Sequence, residues 1–218
     1  MLKEKLLFSM SSYSIQSQNL SKLFGRRLIF RDINFSWAEK GIFGISGPNG
    51  SGKSTLVKIV AGLIAPSSGK IIHKNSNGEI IPEKLHNHIG FVSPYLVLYE
   101  EFSAWENLKI FAKIRGVEFN TEKVTHYLTQ FLLENRKNDL VKTYSSGMKQ
   151  RLKFIFALMH SPEVLIFDEP TSNLDEEGKK VVYDIVHEEG KTRIVVIASN
   201  ESKDLELCNE VLLLENFK

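Results

Sequence analysis

The chain has 218 residues, 42% of them hydrophobic and 25% charged, with a formal net charge of +2. That is ordinary globular composition, enough for one large domain or a core with a subdomain, and so balanced a charge argues against nucleic acid as a partner. The single cysteine, Cys208, excludes an internal disulfide framework and fits a reducing compartment, and no window approaches the ~18 consecutive apolar residues of a membrane span.

In chain order, Met1 to Ser12 has lysines followed by Leu6, Leu7 and Phe8, loosely like a secretory leader. The apolar segment is too short and no small-residue cleavage pattern follows, so an ordinary tail is expected, with Met10 as an alternative start. Tyr13 to Trp37 alternates weakly, as a small antiparallel sheet would. Ile42 to Ser46 is a short apolar run ending in a glycine-rich turn. Leu56, Ile59, Val60 and Leu63 then recur at helical spacing, so the order is strand, turn, helix. Further strands are predicted at Ile89 to Val92, Val164 to Asp168 and Ile194 to Ser199. Val195, Val196 and Ile197 form a continuous β-branched run, as in a sheet covered on both faces.

Between about Ser103 and His160 the pattern is helical. Leu108, Phe111, Ala112 and Arg115 form one amphipathic stretch. Val124, Tyr127, Leu128 and Phe131 form a second, and Leu152, Ile155, Phe156 and Met159 a third. Gly116 and Asn135 to Asp139 supply the breaks. The expected fold class is α/β: a core with a mostly parallel sheet, a small N-terminal antiparallel β subdomain and an inserted helical subdomain. The chain reads as one domain, with its core at about 13–92 and 161–218 and the helices at about 93–160. Among the histidines, His73, His86, His88, His126 and His160 show no convincing metal-ligand pairing. His86 and His88 would share a face if they lay on a strand.

Gly47-Pro48-Asn49-Gly50-Ser51-Gly52-Lys53-Ser54-Thr55 carries the P-loop pattern G-x-x-x-x-G-K-[ST] between strand and helix, the context that motif demands. Gly47, Gly50 and Gly52 let the backbone bend until its N–H groups converge on phosphate oxygens. The following helix offers its N-terminus to the anion. Lys53 adds a mobile charge for the β- and γ-phosphates, and the Ser54 hydroxyl suits Mg²⁺. Residues 164–169 form an apolar strand ending in Asp168 and Glu169. There Asp168 can hold the Mg²⁺ water shell, and Glu169 can act as general base for the attacking water. Upstream, Tyr144-Ser145-Ser146-Gly147-Met148-Lys149-Gln150-Arg151 sets Ser145 to cap a helix running to His160, so that hydroxyl and helix N-terminus face an anion together. Pro170-Thr171-Ser172-Asn173-Leu174-Asp175 follows the acid pair directly.

With these segments in place the chain resembles the ATP-binding-cassette family from about Asn19 to Leu214. Ser145, Ser146, Gly147 and Met148 correspond to its signature, with Ser145 and Gly147 at the serine and second glycine, and Ser172, Asn173, Leu174 and Asp175 resemble its D-loop. Phe24 resembles its adenine-stacking aromatic, for which a flat π-face suffices. The resemblance implies ATP and Mg²⁺ as cofactors, and a head-to-tail dimer in which one protomer's signature closes over ATP held by the other. It also implies a separate transmembrane permease subunit and a place on the cytoplasmic face of the membrane. The dimer would be of identical subunits or with another ABC ATPase. Tyr95, Leu96, Leu98, Tyr99, Phe102 and Trp105 fall where related cassettes receive a short permease helix. One or two are expected to be contacts and the rest packing.

Two departures from the family pattern bear on rate. Pro94 stands where a glutamine is usual, leaving Ser93 or a water to substitute, and Asn200 stands where a histidine contacts the γ-phosphate. Asparagine can donate to phosphate but cannot become cationic near neutral pH. The expected function is a transport ATPase subunit, resembling exporter subunits as a short cassette with a Tyr-Ser-Ser-Gly-Met signature, with Lys53, Glu169 and Asn200 catalytic and turnover slowed. The alternative is a hydrolysis-impaired cassette acting as a regulatory or structural dimerisation switch.

Overall fold

The structure, a computed structural model, describes residues 13–218. The expected N-terminal tail and alternative start lie outside the described residues. Strands β1 (Ser14–Phe24) and β2 (Arg27–Ala38) form a long hairpin. Strand β3 (Gly41–Ser46) leads through the glycine-rich turn into helix α1 (Lys53–Val60). Strands β4 (Ser68–Asn75) and β5 (Gly78–Ile80) then join the hairpin, giving an antiparallel sheet of order β2-β1-β4-β5. Helix α1 stops earlier than the apolar spacing predicts. Gly62 takes the left-handed conformation at φ +73, and the Leu63 N–H returns to the Lys58 carbonyl at 2.8 Å, closing the helix end. Leu63 lies past that stop and is exposed.

A short helix α2 (Leu85–His88) holds His86 and His88, so the two do not share a strand face. Strand β6 (Ile89–Val92) precedes helices α3 (Ala104–Arg115), α4 (Thr121–Gln130) and α5 (Ser146–Leu158). The first begins with a Ser103–Glu106 capping box and ends at Gly116 in the left-handed region. Asn120 caps the second and Ser145 the third. Strand β7 (Val164–Asp168), helix α6 (Glu176–Gly190), strand β8 (Ile194–Ser199), helix α7 (Ser202–Leu205) and strand β9 (Glu210–Leu213) complete the chain. Among the described residues no helix is long and apolar enough to cross a membrane.

The second sheet is parallel throughout, in the order β6-β7-β8-β3-β9. Strands β7 and β8 are buried at every residue, which is why they read as unbroken apolar runs. Alternation separates their faces. Leu165, Phe167, Val195 and Ile197 enter one core with α3, α4, α5 and α6. Val164, Ile166, Ile194 and Val196 enter the other, with α1 and the antiparallel sheet. Phe131 stacks on Phe154, and Phe154 meets Phe167 at a tilt, with ring centroids 5.6 and 4.9 Å apart, so α5 is anchored directly to the strand that ends at Asp168. Aromatic pairs of this kind contribute about 0.5–1.5 kcal/mol beyond their buried area.

His73 fastens the antiparallel sheet to α1. It is buried between the Tyr13 hydroxyl, 2.9 Å from Nδ1, and the Val60 carbonyl, 2.9 Å from Nε2. A carbonyl can only accept, so Nε2 carries the proton and Nδ1 accepts from Tyr13. Burial depresses its pKa to about 4, and burial does the same at His160, also to about 4. Both groups bind fewer protons folded than unfolded between about pH 4 and 6.5, so stability rises with pH across that window and is lost as pH falls through it. The melting temperature is expected to drop on going from pH 7 to pH 5, by an amount corresponding to on the order of a few kcal/mol at the acid end. His73→Gln should melt lower at pH 7 but with a flatter pH dependence in scanning calorimetry; an unchanged slope would show that His73 does not supply the effect.

Candidate active site

The parallel register sets three loops side by side. Ser46 pairs with Ser199, and Asp168 with Ala198, so β3, β7 and β8 end at one level. Their outgoing loops line a cleft of about 880 Å³, joined by Phe24 from the end of β1, Arg27 from β2, and Pro94 and Tyr95 from the loop after β6. Ligand clefts of open α/β sheets lie at this edge for the same reason.

The loop from Gly47 to Thr55 forms the floor. Asn49, Gly50, Gly52, Lys53, Ser54 and Thr55 reach the cleft, while Gly47, Pro48 and Ser51 do not line it. Gly50 and Gly52 both take left-handed φ values, +78 and +108. Around Gly50 there is open space, so its role is conformational. At Gly52 a Cβ would meet the Ile29 methyl at 2.5 Å, so the loop is also pressed against β2. Lys218 supports it from below, its Nζ donating to the Ser51 carbonyl at 2.7 Å.

Lys53 is buried at 5% exposure. Its ammonium donates to the Gly47 carbonyl at 2.8 Å and pairs with Glu169 Oε1 at 3.3 Å. The Ser54 hydroxyl donates to Asp168 Oδ1 at 3.0 Å. Asp168 is fully buried, and its other oxygen, Oδ2, has no hydrogen-bond partner. Such an orphan is costly in a protein interior. Burial lifts the Asp168 pKa, partly offset by the Ser54 hydrogen bond and the Lys58 and Lys53 charges. Burial likewise lifts that of Glu169, against the pull of Lys53. A hydroxyl beside a carboxylate oxygen lacking a partner is a donor set that fits a hard divalent cation. Among the described residues no group of three or more His, Cys, Asp or Glu side chains is arranged for a metal, so water and ligand oxygens would complete the shell.

Glu169 is a non-glycine residue at φ +51, held by its N–H donating to the Ala198 carbonyl at 2.8 Å. Backbone strain of this kind persists only where the surroundings impose it, and it turns the Glu169 side chain away from the strand direction into the cleft. Asn200 also lines the cleft, with Nδ2 at 3.5 Å from Asn49 Oδ1. Pro94 is at the wall, but Ser93, expected as a substitute donor, is buried off the lining. Lys153 of α5 donates to the Ser93 and Pro94 carbonyls at 3.3 and 2.8 Å.

Ser172, Asn173 and Leu174 reach the cleft, whereas Asp175 caps α6, accepting from the Gly178 N–H at 2.8 Å. Ser145, Ser146, Gly147 and Met148 do not line it. Ser145 caps α5 by accepting from the Met148 N–H at 3.2 Å. Gly147 packs on the neighbouring turn, where a Cβ would stand 3.1 Å from the Asn173 carbonyl oxygen.

The sequence profile of the family described as ABC transporter matches residues 30–172. The chain belongs to the ABC transporter family. Over 208 residues it is 33% identical to the linearmycin resistance ATP-binding protein LnrL of Bacillus subtilis, covering 92% of this chain and 66% of that protein. Over 195 residues it is 34% identical to the lantibiotic transport ATP-binding protein SrtF of Streptococcus pyogenes, covering 88% and 82%. The chain thus spans just under two thirds of LnrL. Its fold matches a putative ABC transporter ATP-binding protein of Pyrococcus furiosus, with a TM-score of 0.81 at 24% identity over 94% of this chain and 99% of that one. It also matches a dimeric ATP-binding cassette in a post-hydrolysis state with ADP and phosphate, with a TM-score of 0.79 at 22% identity over 91% and 93%.

Sequence reasoning read Tyr95 only as part of the permease stretch, and missed Arg27, Lys179 and Glu201 in the cleft wall. Each comes from a segment whose local pattern marks only a turn or a solvated helix face, and the tertiary fold alone brings it in. Gly52→Ala combines a disfavoured φ with a clash against Ile29, so it should destabilise the protein by about 1–3 kcal/mol. Ile29→Ala in the same chain should recover only part of that loss in urea unfolding, because the φ penalty stays. Full recovery would mean the contact alone demands glycine.

Proposed function

We propose that this chain is an ATPase subunit, two copies of which, or one copy with a second ABC subunit, close around two Mg-ATP and drive a separate membrane permease. The observation that carries the reading is the convergence of Lys53 with Glu169 and of Ser54 with Asp168 in one cleft that also contains Phe24. In this reading adenine stacks on Phe24 and the phosphates follow the loop to the N-terminus of α1, whose unpaired N–H groups favour anions. Lys53 exchanges its contacts with its own loop and Glu169 for phosphate oxygens.

Ser54 and Asp168 would hold Mg²⁺, which would supply positive charge to the phosphate chain. Glu169 takes a proton from water as the water oxygen attacks the γ-phosphorus; the bond from that phosphorus to the oxygen bridging the β-phosphate breaks, and ADP leaves. Burial of Glu169 favours this work, since a carboxylate with a raised pKa is a better base. The Asn200 amide donates to a γ-phosphate oxygen without carrying charge.

The signature segment, outside its own cleft and beside the Asn173 turn, is read as facing the nucleotide of the other protomer. The loop after Pro94 is read as the permease surface. Tyr95, Tyr99 and Phe102 are 74%, 53% and 41% exposed there, while Leu98 is buried. The relatives named for linearmycin resistance and lantibiotic transport support coupling to transport, and the permease reading puts the chain at the cytoplasmic face of a membrane. No observation favours the alternative of a hydrolysis-impaired switch.

Glu169→Gln is expected to bind ATP within a few-fold of the parent while turnover falls roughly a hundredfold or more. It should accumulate as an ATP-dependent dimer in light scattering; a variant that stays monomeric with Mg-ATP under conditions where the parent dimerises would contradict the reading. In the parent, the acid limb of turnover should lie above the ordinary carboxylate range, because Glu169 becomes protonated as pH falls through its raised value.

Asn200→His should raise steady-state turnover at saturating ATP by several-fold, on the order of 1 kcal/mol of barrier. Equal rates would show that Asn200 does not limit turnover.

A further inference from the structure

Asp204, on α7, is a carboxylate at 1% exposure that the reading above does not use. Among the described residues no lysine, arginine or histidine forms an ion pair with it. Its charge is met by hydroxyls instead. Thr171 Oγ1 lies 3.0 Å from both carboxylate oxygens, the Tyr183 hydroxyl donates to Oδ1 at 2.9 Å, and Ser199 Oγ donates to Oδ2 at 2.7 Å. Hydrogen bonds to an ionised acceptor are short and strong, and three on one buried carboxylate make a rigid junction.

The donors come from the segments the cleft depends on. Thr171 is two residues beyond Glu169, in the turn leaving β7. Ser199 ends β8 and directly precedes Asn200, and its oxygen also accepts from the Glu201 N–H at 3.1 Å. Tyr183, on α6, fixes the junction to the helix packed behind. Asp204 therefore staples together the two turns that leave neighbouring strands and present Glu169 and Asn200. Glu169 needs such support, since it sits at φ +51 and the closing contact from the Ser172 N–H to its carbonyl is long, at 3.3 Å.

We propose that Asp204 is a positioning residue for ATP hydrolysis, acting through Thr171 and Ser199 to hold the Glu169 and Asn200 turns at their working separation. The proposal rests on the reading of Glu169 as general base. Asp204→Asn removes the charge while keeping the shape, and Thr171→Val removes one hydroxyl while keeping the volume. Each should lower kcat about tenfold or more, with KM for Mg-ATP and binding of a non-hydrolysable ATP analogue within about twofold and the melting temperature within a few degrees. The double variant should be no slower than Asp204→Asn alone, since both act through one contact. Thr171→Ser, which keeps the hydroxyl, should retain kcat within about twofold of the parent.

A parental kcat in both single variants would overturn the proposal. So would a fall in kcat accompanied by a rise in KM and a drop in melting temperature in Thr171→Val, which is the mark of a merely structural contact. If Glu169→Gln hydrolyses ATP at the parental rate, the base assignment falls and this inference with it. If Glu169→Gln is inactive while Asp204→Asn and Thr171→Val are not, this inference alone falls.

Discussion

Everything at the cleft follows from one constraint, the shared register of three parallel strands. Because β3, β7 and β8 end level, a glycine turn, an acid pair and a short polar loop emerge side by side, although more than a hundred residues separate the first from the second. Parallel pairing fixes this alignment through backbone hydrogen bonds, and full burial on both faces fixes it again, since a slip by one residue would exchange the two cores. The fold thus spends its most rigid elements on placing loop starts. The side chains on those loops need only short reach, which is why Lys53, Ser54, Asp168 and Glu169 meet within hydrogen-bond or ion-pair distance.

The same rigidity joins α5 to the cleft. Phe154 packs on Phe131 and Phe167, and Lys153, one residue away on the same helix, grips the carbonyls of Ser93 and Pro94. One turn of α5 is therefore tied on one side to the strand bearing the acid pair and on another to the loop bearing the exposed aromatics. On the proposed reading, the signature at the start of α5, the permease surface and the cleft share one lever. A proline at position 94 suits that arrangement: it removes a side-chain donor but keeps its carbonyl, and the carbonyl is what Lys153 holds.

Strands and long helices were legible because their signals are periodic. Val164 to Asp168 and Ile194 to Ser199 were bounded to the residue by unbroken apolar runs between turns. The P-loop and the acid pair were legible because their residue types have few other uses in that order. The strands at Ser68–Asn75 and Gly78–Ile80 were not anticipated. Their stretch, Lys70 to Asn75, mixes two isoleucines with lysines and a histidine, and its burial comes from a tertiary partner: His73 is inside only because Tyr13 and Val60 receive it. Asp204 was illegible for the same reason. An aspartate in a polar turn looks solvated until the fold closes three hydroxyls over it.

Three buried or half-buried carboxylates near the cleft are satisfied to very different degrees. Asp204 has three hydroxyl donors and lies off the cleft lining. Glu169 has one cation, Lys53, which it shares with the loop carbonyls. Asp168 has one hydroxyl and one oxygen with no partner. Satisfaction falls along the path from support to the place where a cation and phosphate would bind. A sequence selected for stability alone would have closed those gaps, with a second donor for Asp168 or a dedicated partner for Glu169. On the proposed reading, a ligand carrying both a divalent cation and anionic oxygens would relieve the unpaired Asp168 oxygen and draw Lys53 away from its own loop in one event. Part of the cost of the unpaired groups would thereby be returned as binding free energy, and the protein should be stabilised by that ligand in proportion to the logarithm of its concentration above Kd.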